Sequence, residues 1–490
     1  MYEHDSKRKL RLRLTFTYAV MILTTLGLVV VALFIALGYR YNQFDGRFEQ
    51  GGMIQFNSRP SGAEIQLDAV KLSNRTATRI TATAGNHAVM VSRDGYKPWQ
   101  KQATVKPGAV LWLNYVRLVP TDPKIETAAT YGSIASVMAS FDRSRFAVIE
   151  NDTQPTVTFS RVHDANVEHS SVTVPADKIT TPSAAGSSRF SLAGWDYANK
   201  RVLVLHTYDD SKTEYLLVSK DSGDPARNIS TEFGISIAEL QYDPTDSNIA
   251  YVLTTNHDIR RLNLSTSTLS GPLVTNASSL VVAYNGCIGY ATHPDVSGVR
   301  TVGYVSKDKL TAKTVQTFTN MSGRSLSYTI ASYYNELYQL VVAGDSATVY
   351  HAELPGSDST DVIKSKTIAK LSLAKDVAFA GFSPREQRFV YIQNGRDIVT
   401  YDLELSSIAT VAPSAALNAK IGWLDDFHLL STADGTIEFM DYDGTNMQTL
   451  ARGASHAATL LAGNDKFFYY FTRDEAAGTV RLMRLSLTTE

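Results

Sequence analysis

Cysteine is all but missing from this chain of 490 residues, Cys287 being the single one. No intrachain disulfide can form, so any exported part must hold together by packing alone. Cys287 lies in the strand-like run Tyr284-Asn285-Gly286-Cys287-Ile288-Gly289-Tyr290 with no His at catalytic spacing, and is expected to be a small buried apolar residue. Also lacking are a His-Glu-x-x-His zinc helix, a Cys-x-x-Cys pair, a phosphate-cradling Gly loop and a Gly-x-Ser-x-Gly elbow. No catalytic motif is left to argue from, and no metal or cofactor is expected. His206, His257, His293, His351, His428 and His456 are scattered singly and read as strand residues rather than ligands. Asp441-Tyr442-Asp443-Gly444 lacks the third acid and distal Glu of a calcium loop, and reads as a hairpin turn. An excess of either charge is missing too, since 47 Lys and Arg stand against 48 Asp and Glu. Nucleic acid is therefore not an expected partner.

Long apolar runs are scarce, with one exception. Leu14 to Tyr39 carries no charge, and as a helix rising about 1.5 Å per residue it can cross a hydrocarbon layer of roughly 30 Å. Lys7, Arg8, Lys9, Arg11 and Arg13 precede it, whereas Arg40 is followed by Asp45, Arg47 and Glu49. That asymmetry predicts a basic cytoplasmic tail over residues 1–13, a single span over 14–39 and an extracytoplasmic remainder. Without the five bases and two acids of the tail, that remainder carries 42 basic and 46 acidic groups. Ala36-Leu37-Gly38 offers a small-x-small site for a cleaved signal, but the run exceeds the roughly 7 to 15 apolar residues of a signal. An uncleaved anchor is the reading adopted, followed by a tether over 40–52.

From Met53 the period becomes that of strands. Ile54 and Phe56 alternate with polar residues, as do Ala63, Ile65 and Leu67, then His87, Val89 and Val91. Arg59-Pro60-Ser61-Gly62 and Asp94-Gly95 supply turns. The segments Ser58-Arg59-Pro60-Ser61-Gly62-Ala63-Glu64-Ile65, Gly85-Asn86-His87 and Gly95-Tyr96-Lys97-Pro98-Trp99 together resemble the PEGA domain. That family's pattern is Ser-x-Pro-x-Gly-Ala, a Gly-x-His turn and a Gly-Tyr pair before an aromatic. The positions matching it are Pro60, Gly62, Ala63, Gly85, His87, Gly95 and Tyr96. The chain departs at two turns, with Ala69 after Asp68 where the family has Gly, and Thr76-Ala77 where it has Thr-Pro. The resemblance implies a small β-rich module over 53–119, found outside the membrane beside an anchor, and implies no catalysis. Tyr96, Trp99 and Trp112 are candidates for an aromatic sugar platform, against which stands the need of so small a domain to fill its core.

After a Pro-punctuated linker over 120–124, one pattern recurs: a strand ending in an aromatic, a tight polar turn and an apolar strand. It begins at Phe141, Trp195, Tyr242, Phe382 and Trp423, with weaker copies near Tyr284, Tyr333 and Gly463. Copies at this spacing, each with short strands and no helical period, predict a β-propeller over 125–490, of eight blades with seven as the alternative. Phe382-Ser383-Pro384 to Tyr391 resembles the repeat of TolB-like propellers, a family that includes periplasmic interaction proteins and the propeller halves of some peptidases. Quinone-dependent eight-bladed dehydrogenases would need a Trp in most blades, and only Trp195 and Trp423 are present. The last repeat is one strand short, so Ile125-Glu126-Thr127-Ala128-Ala129 is expected to pair beside Val480 to Leu487 and close the ring.

The fold expected is thus all-β, a PEGA-type domain and a propeller behind one transmembrane helix. The function expected is binding or scaffolding in the cell envelope, with an envelope protein or a wall or surface polymer as partner. The alternative is a glycan or peptide hydrolase or lyase in the propeller funnel, because paired carboxylates assembled across blades leave no spacing in sequence.

Overall fold

A helix from Glu3 to Ala36 opens the chain. Its segment Arg13–Phe34 is long and apolar enough to cross a membrane, and protein covers none of it. Three threonines there turn their hydroxyls back on the carbonyl four residues earlier: Thr17 on Arg13 at 2.8 Å, Thr24 on Val20 at 2.6 Å, Thr25 on Met21 at 2.8 Å. A hydroxyl satisfied by its own helix lies in hydrocarbon at little cost. The span expected to reach Tyr39 stops sooner, because Tyr39–Asn42 is a strand paired antiparallel with Arg47–Gln50. Aromatic and polar residues alternate in Tyr39-Arg40-Tyr41-Asn42 with the period of two that a strand requires. The tether expected over 40–52 is therefore partly a ribbon, and Gly52 already begins the next strand.

The computed structural model describes residues 3–36, 39–42, 47–162, 166–183, 187–209, 211–221, 223–284, 286–307, 310–319, 321, 324–352, 365–373, 377–394, 397–411, 420–456 and 458–489. They form two compact units, Met1–Asp122 and Pro123–Glu490.

In the first unit seven strands beyond the ribbon form two sheets. Gly52–Arg59 lies between Thr78–Ala82, antiparallel, and Val110–Arg117, parallel. The other sheet runs in the order Val70–Arg75, Glu64–Leu67, Gly85–Ser92, Trp99–Val105. Alternation sends Ile54 and Phe56 inward from one sheet, and Ile65, Val89, Val91 and Trp99 from the other, all at most 2% exposed. Each such side chain contributes about 1.5–3 kcal/mol by leaving water. The turns set these strands in register. Gly62, Gly85 and Gly95 have φ of 78°, 135° and 82°, a region that side chains other than glycine enter at a cost. Ala63 N donates to Thr76 Oγ1 at 2.9 Å and Gly62 N to the Thr76 carbonyl at 2.7 Å. At the hairpin between Leu67 and Val70 both Asp68 and Ala69 have positive φ, so Ala69 adopts the conformation the family gives to glycine.

The linker expected over 120–124 is shorter than that. Lys97 N donates to Val119 O and Thr121 N to Gly95 O, both at 2.9 Å, and Tyr96 bridges to Pro120. Backbone groups around Gly95 need partners, and residues 120 and 121 supply them.

In the second unit the described residues form eight four-stranded antiparallel sheets. Seven are consecutive in sequence, spanning residues 136–173, 189–228, 237–269, 277–318, 326–372, 377–411 and 420–451. The eighth combines Leu460–Leu461, Phe467–Asp474 and Thr479–Ser486 with Ile125–Tyr131 on its outer edge. First strands of successive blades touch in much of the ring, which makes them the inner ones. Apolar side chains fill the gaps between blades: Trp195 and Val204 of the second meet Ala147 and Phe159 of the first, and Phe146 of the first meets Tyr469, Phe471 and Leu482 of the eighth. This is an eight-bladed β-propeller.

Its closure is the one expected from counting strands. Ile125 pairs with Leu485 and Tyr131 with Val480, across a bulge at Ala128. The Glu126 carboxylate lies 2.5 Å from Lys124 and 2.6 Å from Arg484, whose hydrogen bonds bring its pKa down to about 2.

Candidate binding surface at the turn end of the propeller

The motif repeated in the sequence is the turn between the first and second strands of each blade. Several of these turns open on a polar side chain that caps the returning backbone. Ser140 Oγ accepts from Arg145 N at 3.0 Å, Asp196 Oδ1 from Lys200 N at 2.8 Å and Arg201 N at 3.1 Å, and Ser383 Oγ from Phe389 N at 3.3 Å. Six of them close on a residue of positive φ: Arg143, Asn199, Gly286, Asn335, Gln387 and Asp465. In blades one, two and four the residue after the opening one is aromatic: Phe141, Tyr197 and Tyr284.

These three rings meet. Phe141 and Tyr197 stack at 4.5 Å with an interplanar angle of 6°, and Tyr284 stands edge-on to Tyr197 at 5.7 Å. From blade six Arg385 donates to the Phe141 carbonyl at 2.8 Å, although blades six and one are not neighbours. Contacts between non-adjacent blades exist only where the turns converge on the ring axis. Asp426 of blade seven accepts from Arg385 N at 2.6 Å and Glu386 N at 3.0 Å through one oxygen. On blade three Asp243 is 1% exposed, accepts from Thr245 and lies 3.7 Å from Lys307 Nζ of blade four. Phe141 is 45% exposed, and Arg385 and Glu386 are exposed beside it.

The charges are coupled across this end. Burial pushes Tyr284 up to about 12, with Tyr197 and Asp426 adding and Arg385 opposing. Glu386 is raised above the ordinary carboxylate range, first by desolvation and then by the charge of Asp426, against the pull of Arg388. The surface thus offers aromatic faces for stacking, a guanidinium to donate and a carboxyl that takes up a proton readily.

The candidates named from sequence lie elsewhere and do not share a face. Trp99 is fully buried and meets Tyr115 edge-on at 6.1 Å, Tyr96 is 7% exposed, and Trp112 is 40% exposed. An exposed platform of all three does not form, because Trp99 is the first inward residue of its strand whereas Trp112 falls on the outward set with Val110 and Asn114. Of the motif residues, Ala63 is buried and Pro60 follows a cis bond from Arg59. His87 clamps two turns, with Nδ1 2.5 Å from Asp68 Oδ2 and Nε2 2.8 Å from the Thr83 carbonyl. Burial opposes charging this imidazole, but those hydrogen bonds outweigh it and raise its pKa.

The scattered histidines have local neighbours: His206 bonds Glu214 at 2.8 Å and His428 bonds Asp425 at 2.7 Å, while His351 Nε2 lies 3.0 Å from the Glu336 carboxylate. His257 and His293, distant in sequence, do meet, their rings 4.3 Å apart. Among the described residues no group of three or more His, Cys, Asp or Glu could hold a metal ion. The carboxylates of Asp441 and Asp443 bind Thr445 of their own turn, and Cys287 is buried. What sequence reading missed is the trio Phe141, Tyr197 and Tyr284. Their positions are visible in the sequence, since all three follow the opening residue of a repeated turn, but their meeting across three blades is not.

Residues 52–121 match the family model of the PEGA domain. No curated protein matches the chain. Among solved structures, an oligogalacturonate lyase in complex with manganese is similar at 9% identity and a TM-score of 0.42, over 75% of this chain and 98% of that one. A β-propeller domain of Cps50 (Swd1) from Myceliophteria thermophila is 12% identical, with a TM-score of 0.40 over 74% of this chain and 100% of that one. A eukaryotic initiation factor is 14% identical, with a TM-score of 0.42 over 73% and 87%. No function carries over at this distance. The chain joins an apolar helix, a PEGA domain and an eight-bladed propeller.

Proposed function

We propose that this is a membrane-anchored, extracytoplasmic binding or scaffolding protein of the cell envelope, engaging an envelope protein or a wall or surface polymer. The observation that carries the reading is the convergence of Phe141, Tyr197 and Tyr284 with Arg385 and Glu386 at the exposed turn end of the ring. Stacking faces next to a donor and a carboxyl suit a polymer of sugars or an aromatic-containing peptide. The bases before Leu14 support the orientation, and the apolar segment Arg13–Phe34 supports the anchor. A second reading, a hydrolase or lyase, draws on Glu386, a carboxyl of raised pKa beside Asp426.

The test is cosedimentation of the full chain, reconstituted in nanodiscs, with wall polymer purified from its own organism, alongside capture of envelope proteins. Retention without loss of polymer length supports binding. Steady chain shortening that Glu386→Gln abolishes would favour the enzyme, and no retention of either partner would contradict the binding reading.

A further inference from the structure

The corner of the small domain next to the helix is fixed by a chain of contacts. The Phe34 ring lies 5.0 Å from that of Tyr39, three residues beyond the end of the helix at Ala36. Tyr39 pairs with Gln50 across the ribbon, so the ribbon returns the chain to the point where it left the helix. There the turn at residues 106–109 closes over it. Gly108 N donates to Gly51 O and Met53 N to Ala109 O, both at 2.9 Å. A Cβ on Gly52 would stand 2.6 Å from the Lys106 carbonyl, and one on Gly108 2.7 Å from Gln50 Nε2. At Gly52 the backbone carbonyls leave no room for a side chain, and at Gly108 a φ of 68° favours glycine.

Directly beyond this corner, the outward face of the three-stranded sheet sets two exposed apolar side chains among the polar Gln55, Arg79, Thr81 and Asn114. Val110 and Trp112 are each 40% exposed, in register with Met53 and Gln55. Over residues 52–121 the other exposed large apolar side chain is Val70. Opposite Gln55 stands the exposed Arg79, and Lys106 is exposed in the turn. A tryptophan with an aliphatic neighbour and cations around it matches the boundary between hydrocarbon and lipid headgroups. Trp112 is in register with Gln55, three residues along the strand from Gly52, or roughly 10 Å.

We propose that this face, with Trp112 at its centre, rests on the headgroup region of the bilayer that holds the helix. The ribbon and the 106–109 turn then act as a bracket that seats the small domain on the lipid surface. The proposal rests on the anchor reading above, and the experiment separates the two.

The full chain is reconstituted into phosphatidylcholine vesicles, with and without bromine on the acyl chains. The chain holds four tryptophans, so the emission of Trp112 is the difference between the native chain and Trp112→Phe. Both proteins should float with the vesicles and melt alike, since Trp112 is not core. The expected result is that brominated lipid removes roughly half or more of the Trp112 emission, while aqueous acrylamide removes little. Flotation with Trp112 emission untouched by brominated lipid overturns the proposal and leaves the anchor standing. Failure to float overturns both.

Discussion

In the small domain each motif residue is used once, whereas in the propeller one turn is used again and again. Gly62, Gly85 and Gly95 each make a different turn, and His87 alone joins the Asp68 hairpin to the Thr83 loop. A domain of this size has few core residues, so each carries a large share of the stability. In the propeller the opening caps at Ser140, Asp196 and Ser383 repeat one device, and the apolar clusters between blades repeat another. Repetition spreads stability around the ring and brings equivalent turns together on the axis, where the proposed binding surface lies. The first region is a set of local solutions. The second depends on a pairing between segments more than 350 residues apart in sequence.

That contrast can be sharpened most by locking the ring. Thr127→Cys with Met483→Cys, in a Cys287→Ser background, joins residues that are partners in register. The chain-entropy argument gives a gain of up to about 5 kcal/mol for so long a loop. In calorimetry of the full chain the propeller transition should rise on oxidation and the small-domain transition should not move. If both move together, the two units do not melt independently.

The converse variant is Trp99→Ala. Removing a fully buried indole from the small domain should cost about 3 to 5 kcal/mol, enough to abolish its transition while the propeller melts as before. An unchanged small-domain Tm would mean that Trp99 is not the core residue its burial makes it.

A smaller effect depends on pH. His87 binds its proton more tightly folded than unfolded, because the bonds to Asp68 and Thr83 outweigh burial. Its contribution is therefore full below its ordinary value of 6.5 and is lost as pH rises through the higher folded-state pKa. Asp68, lowered from 3.8 by His87 and the Ala88 N–H, stays charged throughout that range. The small-domain Tm should fall as pH rises above 6.5, and His87→Gln should flatten that slope.

Much of this was readable in the residues. The PEGA motifs mark turns whose backbone needs leave few substitutes, and the eight turns recur at a visible spacing. Even the closure by Ile125–Tyr131 followed from a last blade one strand short. The ribbon at Tyr39–Asn42 was missed because the aromatics there suit a membrane interface as well as a strand. Placing Trp112 with Trp99 ignored the alternation Leu111-Leu113-Tyr115, which turns Trp112 outward. The turn-end surface was hidden for a different reason. Phe141, Tyr197, Tyr284 and Arg385 are brought together by the curvature of the whole ring, which no local pattern encodes.

The central claim is that this axial end is where the partner binds. Phe141→Ala, Tyr197→Ala and Tyr284→Ala combined should leave the blades intact, since none of the three is fully buried and only Tyr197 packs against the edge of an inter-blade cluster. With stacking at about 0.5–1.5 kcal/mol per aromatic pair, retention of the full chain on its polymer or protein partner should fall by roughly tenfold or more. Calorimetry of the same sample checks that the propeller transition is preserved. Unchanged retention by a folded triple variant would contradict the account and place the recognition surface elsewhere on the chain.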